Sequence, residues 1–293
     1  MAESPFQIRS FTAGDGYEWK YRHFQPAGTP KARVVGIHGI QSHGGWYTYS
    51  CQRLCQAGYE VFFLDRRGAG LNERERGDVP YWRRLVDDIA EFLRHLRQTA
   101  RLPTYLIAIS WGGKIGTALQ RRHPGVVQGL ALLCPGFFPR LRTAWLKRLV
   151  ILFCCKAFPG AMFQIPLSDP DLFTASPHWQ KFIAEDPCML RRATARMAYE
   201  NGRLDGYLRL WPPQITIPVL LMLAEKDRII DNAATRHYVE QIALGPRDII
   251  VYPGAHHTLE FEPDPEVFIR DLTAWLERCL AAERSNAPLG SAR

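Results

Sequence analysis

The hexapeptide Ala108-Ile109-Ser110-Trp111-Gly112-Gly113 follows an apolar run and precedes a helical one. Apolar strand, small residue, Ser, any residue, Gly, helix is the pattern of a nucleophile elbow. There a sharp, strained turn lifts the hydroxyl out of a sheet, so its neighbours must be small. Alanine stands at the first position, where glycine is usual, and it is the next smallest side chain. A serine hydroxyl needs a base, and the base needs an acid to orient it. Further on, Ala224-Glu225-Lys226-Asp227 ends the apolar run 218–223, and Pro253-Gly254-Ala255-His256-His257 ends the run 248–252. Serine, acid and histidine in that order, each leaving a strand, suit acyl transfer through a covalent serine intermediate. Asp227 is the candidate acid, and the base is His256 or His257. Negative charge on the intermediate would be met by the backbone N–H of Trp111. A second donor, Ile40 N–H, would come from the loop His38-Gly39-Ile40.

These residues need a sheet to bring them together. Segments 6–11 and 17–24, joined by Gly14-Asp15-Gly16, read as a hairpin. Short apolar runs at 33–38, 60–64, 104–109, 126–133, 218–223 and 248–252 alternate with helical patterns at 47–57, 82–96, 114–122, 232–242 and 265–280. In the second helix Trp82, Leu85, Val86, Ile89, Phe92, Leu93 and Leu96 keep a three-and-four spacing. Such alternation predicts an α/β fold with a mostly parallel sheet flanked by helices, whose sites lie at the carboxyl ends of the strands. The rhythm stops between residues 135 and 213, so a helical cap is expected there. It would be inserted into a core formed by 1–134 and 214–293. The polar tail after Ala281 is expected to fray.

Composition narrows the function classes. The chain has 293 residues, of which 46% are hydrophobic, enough for a packed core and too many for a disordered chain. Lys and Arg exceed Asp and Glu by 37 − 29 = 8, but they are scattered, which argues against a nucleic-acid partner. The longest apolar run, 149–155, is shorter than a membrane span, and no signal-peptide pattern opens the chain. A soluble, cytoplasmic protein is expected. Seven cysteines without a CxxC or zinc spacing read as reduced, packed thiols, and neither a metal nor an organic cofactor is implied.

The motifs together resemble the α/β-hydrolase superfamily, and within it the monoacylglycerol lipase and lysophospholipase group of serine aminopeptidase S33-like hydrolases. The resemblance spans about residues 10–280. It rests on His38 through Tyr47, similar to His-Gly-x-x-Glu-His-x-x-Arg-Tyr, and on Asp65-Arg66-Arg67-Gly68-Ala69-Gly70-Leu71-Asn72, similar to Asp-x-x-Gly-x-Gly-x-Ser. It rests also on 108–113, similar to Gly-His-Ser-Met-Gly-Gly, and on the acid and base motifs. It implies Ser110, Asp227 and His257 as the triad. Ser42 and Trp46 stand where the family often has Glu and Arg, while Ile109 and Trp111 replace His and Met. These changes predict a bulkier, more apolar entrance. His38, Gly39, His43 and Trp46 are the candidate pocket residues around the ester head.

Within the expected cap, residues 143–158 carry Trp145, Leu146, Leu149, Val150, Ile151, Leu152, Phe153 and Phe158 beside Lys147, Arg148 and Lys156. A helix apolar around most of its circumference must bury more than one face. It could pack on the body, line an acyl tunnel through Leu149 and Phe153, or touch a membrane surface transiently. Residues 189–210 read as a solvated amphipathic helix. The expected activity is hydrolysis of small lipophilic carboxylic esters, monoacylglycerol- or lysophospholipid-like, through an acyl-enzyme on Ser110. Acyl transfer, thioester or amide cleavage with the same residues are the alternatives, and a non-catalytic lipid-binding module is the rival from another class.

Overall fold

Residues 5–141 and 144–286 are described by the computed structural model. The chain begins with β1 (Gln7–Thr12), β2 (Glu18–Phe24) and β3 (Arg33–Ile37), followed by α1 (Thr48–Gln56) and β4 (Glu60–Leu64). Next come α2 (Trp82–Thr99), β5 (Thr104–Ile109), α3 (Gly112–Arg122) and β6 (Gly129–Leu133). Between β6 and the next sheet strand lie α4 (Trp145–Ala157), β7 (Met162–Gln164), α5 (Pro177–Glu185), β8 (Arg192–Thr194) and α6 (Ala195–Leu210). The chain then returns through β9 (Val219–Ala224), α7 (Asn232–Ile242), β10 (Arg247–Tyr252) and α8 (Glu266–Asn286).

Eight strands form one sheet in the order β1-β2-β4-β3-β5-β6-β9-β10. The hairpin β1–β2 and the β2–β4 pair are antiparallel, and every later pairing in this sheet is parallel. Central strands are buried on both faces, which explains their unbroken apolar runs. In β5, Tyr105 meets Trp275 of α8, and Ile107 and Ile109 point into the layer under α1 and α8. Leu106 and Ala108 face α3, where Gly116 gives them room: a Cβ on Gly116 would lie 2.8 Å from that of Ala108. The extra methyl that Ala108 adds to the elbow is thus accommodated by a glycine on the helix behind it.

Several expectations change between β6 and β9. The helix read over 189–210 begins only at Ala195. Thr194 caps it, its Oγ1 accepting from Met197 N–H at 3.0 Å, and the residues before it pair with β7. This α6 is packed rather than solvated: Met197, Leu204 and Leu208 are buried where it meets α2, α3 and α4. The helix read over 143–158 spans Trp145–Ala157, and Thr143 lies outside the described residues, as does the tail from residue 287. No residue of α4 is fully buried, because α6 is its principal neighbour and covers one side only. Leu149 and Phe153 are 54% and 65% exposed, which removes them from the lining of an acyl tunnel in this conformation. Among the described residues no helix is long and apolar enough to cross a membrane.

Candidate active site

Ser110 sits where β5 gives way to α3, with φ +52°, a left-handed conformation that costs a non-glycine residue energy. The turn is held by Ser110 N–H donating to the Leu133 carbonyl at 2.9 Å. The Ser110 carbonyl accepts from the N–H groups of Gly113 and Gly136 at 2.9 and 2.8 Å. Gly112 is required by close approach: a Cβ there would lie 2.7 Å from the His38 carbonyl oxygen. Strain at the elbow is therefore fixed by residues at the ends of β3 and β6 and by the first turn of α3.

His257, in the loop after β10, brings Nε2 to 2.9 Å from Ser110 Oγ and Nδ1 to 2.7 Å from Asp227 Oδ2. The carboxylate makes Nδ1 the protonated nitrogen, so Nε2 is free to accept from the serine hydroxyl. Asp227 Oδ1 accepts from Ile229 and Ile230 N–H at 2.8 and 3.0 Å, which fixes the carboxylate in the loop after β9. His256 turns away and bonds Glu262, its N–H at 2.8 Å and its Nδ1 at 3.2 Å. Adjacent in sequence, the two imidazoles have separate partners.

Ile40 N–H and Trp111 N–H take no acceptor among the described residues. The loop bearing Ile40 is built from behind. His38 Nδ1–H donates to the Gly39 carbonyl at 2.7 Å and Nε2 accepts from Arg66 N–H at 3.1 Å, a neutral ring used at both ends. Burial, with Arg66 nearby, pushes the His38 pKa down to about 3. Because a trans peptide points its N–H opposite its C=O, holding the Gly39 carbonyl orients Ile40 N–H. The Arg66 guanidinium donates to the Ile40 carbonyl and lies 5.1 Å from the Trp111 ring centroid. Asp65, fully buried, accepts from Gly44 N–H at 2.6 Å and Leu71 N–H at 2.9 Å and pairs with Arg22 at 3.0 Å. Asn72 Nδ2 ties back to the Asp65 and Arg66 carbonyls. The Asp65-to-Asn72 motif is thus the brace of the His38-to-Tyr47 loop.

A cavity opens at Ser110. Gly39, Ile40, Gln41, Ser42, Trp46 and Tyr47 line one side, with Ile109, Leu167, Phe173, His257 and Thr258 around the rest. Of the sequence-derived pocket candidates, Gly39 and Trp46 line it, whereas His38, His43, Leu149 and Phe153 do not. The His43 ring accepts from Gly45 N–H at Nδ1 and donates from Nε2 to Asp186 at 2.9 Å. Trp46 Nε1–H donates to the same Asp186 oxygen at 2.6 Å. Burial opposes ionisation of Asp186, but the bonds from His43 and Trp46 outweigh it and hold the carboxyl below the usual range. The Trp111 side chain is not at the entrance either: its indole N–H reaches Asn201 of α6 at 2.6 Å. Asp186, Asn201, Leu167 and Phe173 all come from the segment between β6 and β9. No local pattern marks them: Asp186, Asn201 and Phe173 meet partners more than 80 residues away in sequence, and Leu167 joins them only as a wall of the cavity.

The model of the family described as "Serine aminopeptidase, S33" matches residues 28–264. The chain belongs to this family. It is 28% identical to the monoacylglycerol lipase of Mycolicibacterium smegmatis over 287 residues, covering 94% of this chain and 99% of that one. It is 26% identical to lysophospholipase L2 of Escherichia coli over 279 residues, with 87% and 82% covered. Among solved structures, a soluble variant of monoglyceride lipase from Saccharomyces cerevisiae superposes with a TM-score of 0.83 at 20% identity, covering 95% of this chain and 97% of that one. The fold is that of the α/β-hydrolases.

Proposed function

We propose that this S33-family hydrolase cleaves lipophilic carboxylic esters through an acyl-enzyme on Ser110. The observation that carries the reading is the continuous chain Asp227 Oδ2–His257–Ser110 Oγ, at 2.7 and 2.9 Å, beside two unoccupied backbone donors. His257 Nε2 takes the hydroxyl proton as Oγ attacks the ester carbonyl, and the resulting imidazolium is stabilised by Asp227. Ile40 and Trp111 N–H receive the oxyanion. The proton then passes to the departing alkoxide, and His257 activates a water that releases the acid. Similarity to monoacylglycerol lipases and a lysophospholipase supports a substrate with one acyl chain on a polar alcohol. The segment 135–213 acts as the cap, supplying Leu167 and Phe173 to the cavity and Asp186 to its frame.

The exposed apolar residues of α4 support a second element of this reading, a transient contact with a membrane surface. Trp145, Leu146, Leu149, Val150, Leu152 and Phe153 are all exposed beside Lys147, Arg148 and Lys156. A hydrolysis panel tests the function: nitrophenyl esters from short to long chain, with monoacylglycerols and lysophospholipids. Turnover of long-chain esters is the expected result. A folded enzyme that turns over no ester, but cleaves thioesters or amides, would overturn it.

A further inference from the structure

Trp111 offers its backbone N–H to the oxyanion, while its side chain is tied to a distant helix. The indole Nε1–H donates to Asn201 Oδ1 of α6 at 2.6 Å. Methionine, its counterpart in the similar motif, has no donor for such a bond. The same oxygen accepts from Lys114 Nζ at 3.2 Å, and Lys114, buried in α3, pairs with Asp205 Oδ1 of α6 at 2.6 Å. Over the face of the indole lies Arg66, 5.1 Å from the ring centroid. Arg66 is buried, and among the described residues it has no carboxylate partner. Its guanidinium donates to the Ile40 carbonyl and, at 3.4 Å, to the Arg67 carbonyl, and its Nε has no acceptor there. Burial lowers its pKa to about 10, so it remains a cation at neutral pH. Such a cation depends on carbonyl oxygens and on the π face beneath it. The ring therefore decides where the guanidinium sits, and the guanidinium holds Ile40, the residue that bears the second donor.

We propose that Asn201 is a positioning residue of the oxyanion hole, acting through the Trp111 indole and the Arg66 guanidinium on Ile40. This rests on the ester-hydrolase reading and adds a residue to it. Without the bond to Asn201 the indole is free to change rotamer, and Arg66 loses its platform. The Trp111 N–H is held independently, because the Ser110 carbonyl of the same peptide accepts from Gly113 and Gly136. Loss of Asn201 thus impairs one donor of the pair and spares the other. Neither Asn201, Lys114 nor Arg66 lines the cavity, so the effect reaches the substrate only through that donor. An oxyanion forms on the way into and out of the acyl-enzyme, so both steps slow and the loss falls on kcat.

The test uses nitrophenyl butyrate, with a thermal melt of every variant. Asn201→Leu, close in size and unable to accept, should lower kcat about 10-fold and leave KM within about twofold. A trifluoromethyl ketone, which forms an oxyanion adduct on the serine, should bind it more weakly by about the same factor. Asn201→Asp keeps the acceptor and should restore kcat to within about twofold of wild type. Trp111→Phe keeps an aromatic face and removes the donor, so it should reproduce the Asn201→Leu loss. The double variant should lose no more than either single one, because both break one bond. A folded Asn201→Leu or Trp111→Phe with wild-type kcat overturns the proposal, and if the first does not fold the second decides. Additive losses, a loss confined to KM, or an Asn201→Asp as impaired as Asn201→Leu overturn it too. Failure of the parent reading looks different: the wild type itself turns over no ester.

Discussion

His256 and His257 are one bond apart in sequence and have opposite surroundings. His257 is enclosed between Asp227 and Ser110, while His256 is spent on Glu262. His257→Ala should therefore abolish ester turnover, and His256→Ala should retain most of it. Asp227→Asn should cost on the order of 10⁴-fold in kcat, because the amide leaves the imidazole in the wrong tautomer. Steady-state rates on one soluble ester decide this, and a dead His256→Ala beside an active His257→Ala would reverse the assignment. The three residues were legible in the sequence because each follows an apolar strand, and the elbow demands small neighbours at fixed spacing. Sequence alone left the two histidines open; the family resemblance chose between them, and the hydrogen bonds give the physical reason.

At the scale of elements, the short turn after His257 is coupled to α1 through Glu260. Its Oε1 accepts from Ser50 N–H at 2.9 Å in the first turn of that helix, and its Oε2 has no partner among the described residues. Charge at a helix N-terminus is favourable, but burial dominates and pushes the Glu260 pKa from 4.5 up to about 7. The folded state then binds more protons than the unfolded state between pH 4.5 and about 7, so stability falls as pH rises through that window. Glu260→Gln keeps the acceptor and removes the titration. Its melting temperature should exceed wild type at pH 8 and differ little at pH 5. A variant less stable than wild type at pH 8 would mean that the carboxylate is ionised there and supports α1. Strands and long helices of the sheet were legible from period alone. The start of α6 was not, because Thr194 as a cap competes with the extended pairing of β7 and β8, and only the tertiary structure says where one ends.

Over the whole molecule, loops at the ends of the sheet strands hold Ser110, Asp227 and His257, the segment between β6 and β9 adds Leu167 and Phe173 to the cavity, and α4 presents apolar side chains to the surroundings. The sequence showed that this helix is apolar on most sides; it could not show that little beyond α6 would cover it. With a formal charge of +8, the membrane contact proposed for α4 would gain from attraction to an anionic surface. Leu149→Ser with Phe153→Ser should reduce cosedimentation with phosphatidylglycerol vesicles several-fold and leave turnover of a soluble butyrate ester unchanged, because neither residue lines the cavity. Unaltered vesicle binding would contradict a membrane role for α4. Loss of butyrate turnover in a folded variant would instead place the helix on the path to Ser110.

The central claim is a covalent acyl intermediate on Ser110, and a fluorophosphonate probe reads it directly. Intact-mass analysis should show one adduct on the wild type, with peptide mapping placing it on Ser110. Ser110→Ala should show none, and His257→Ala should label far more slowly. Absence of labelling on folded wild type, or an adduct that persists in Ser110→Ala, would contradict the account.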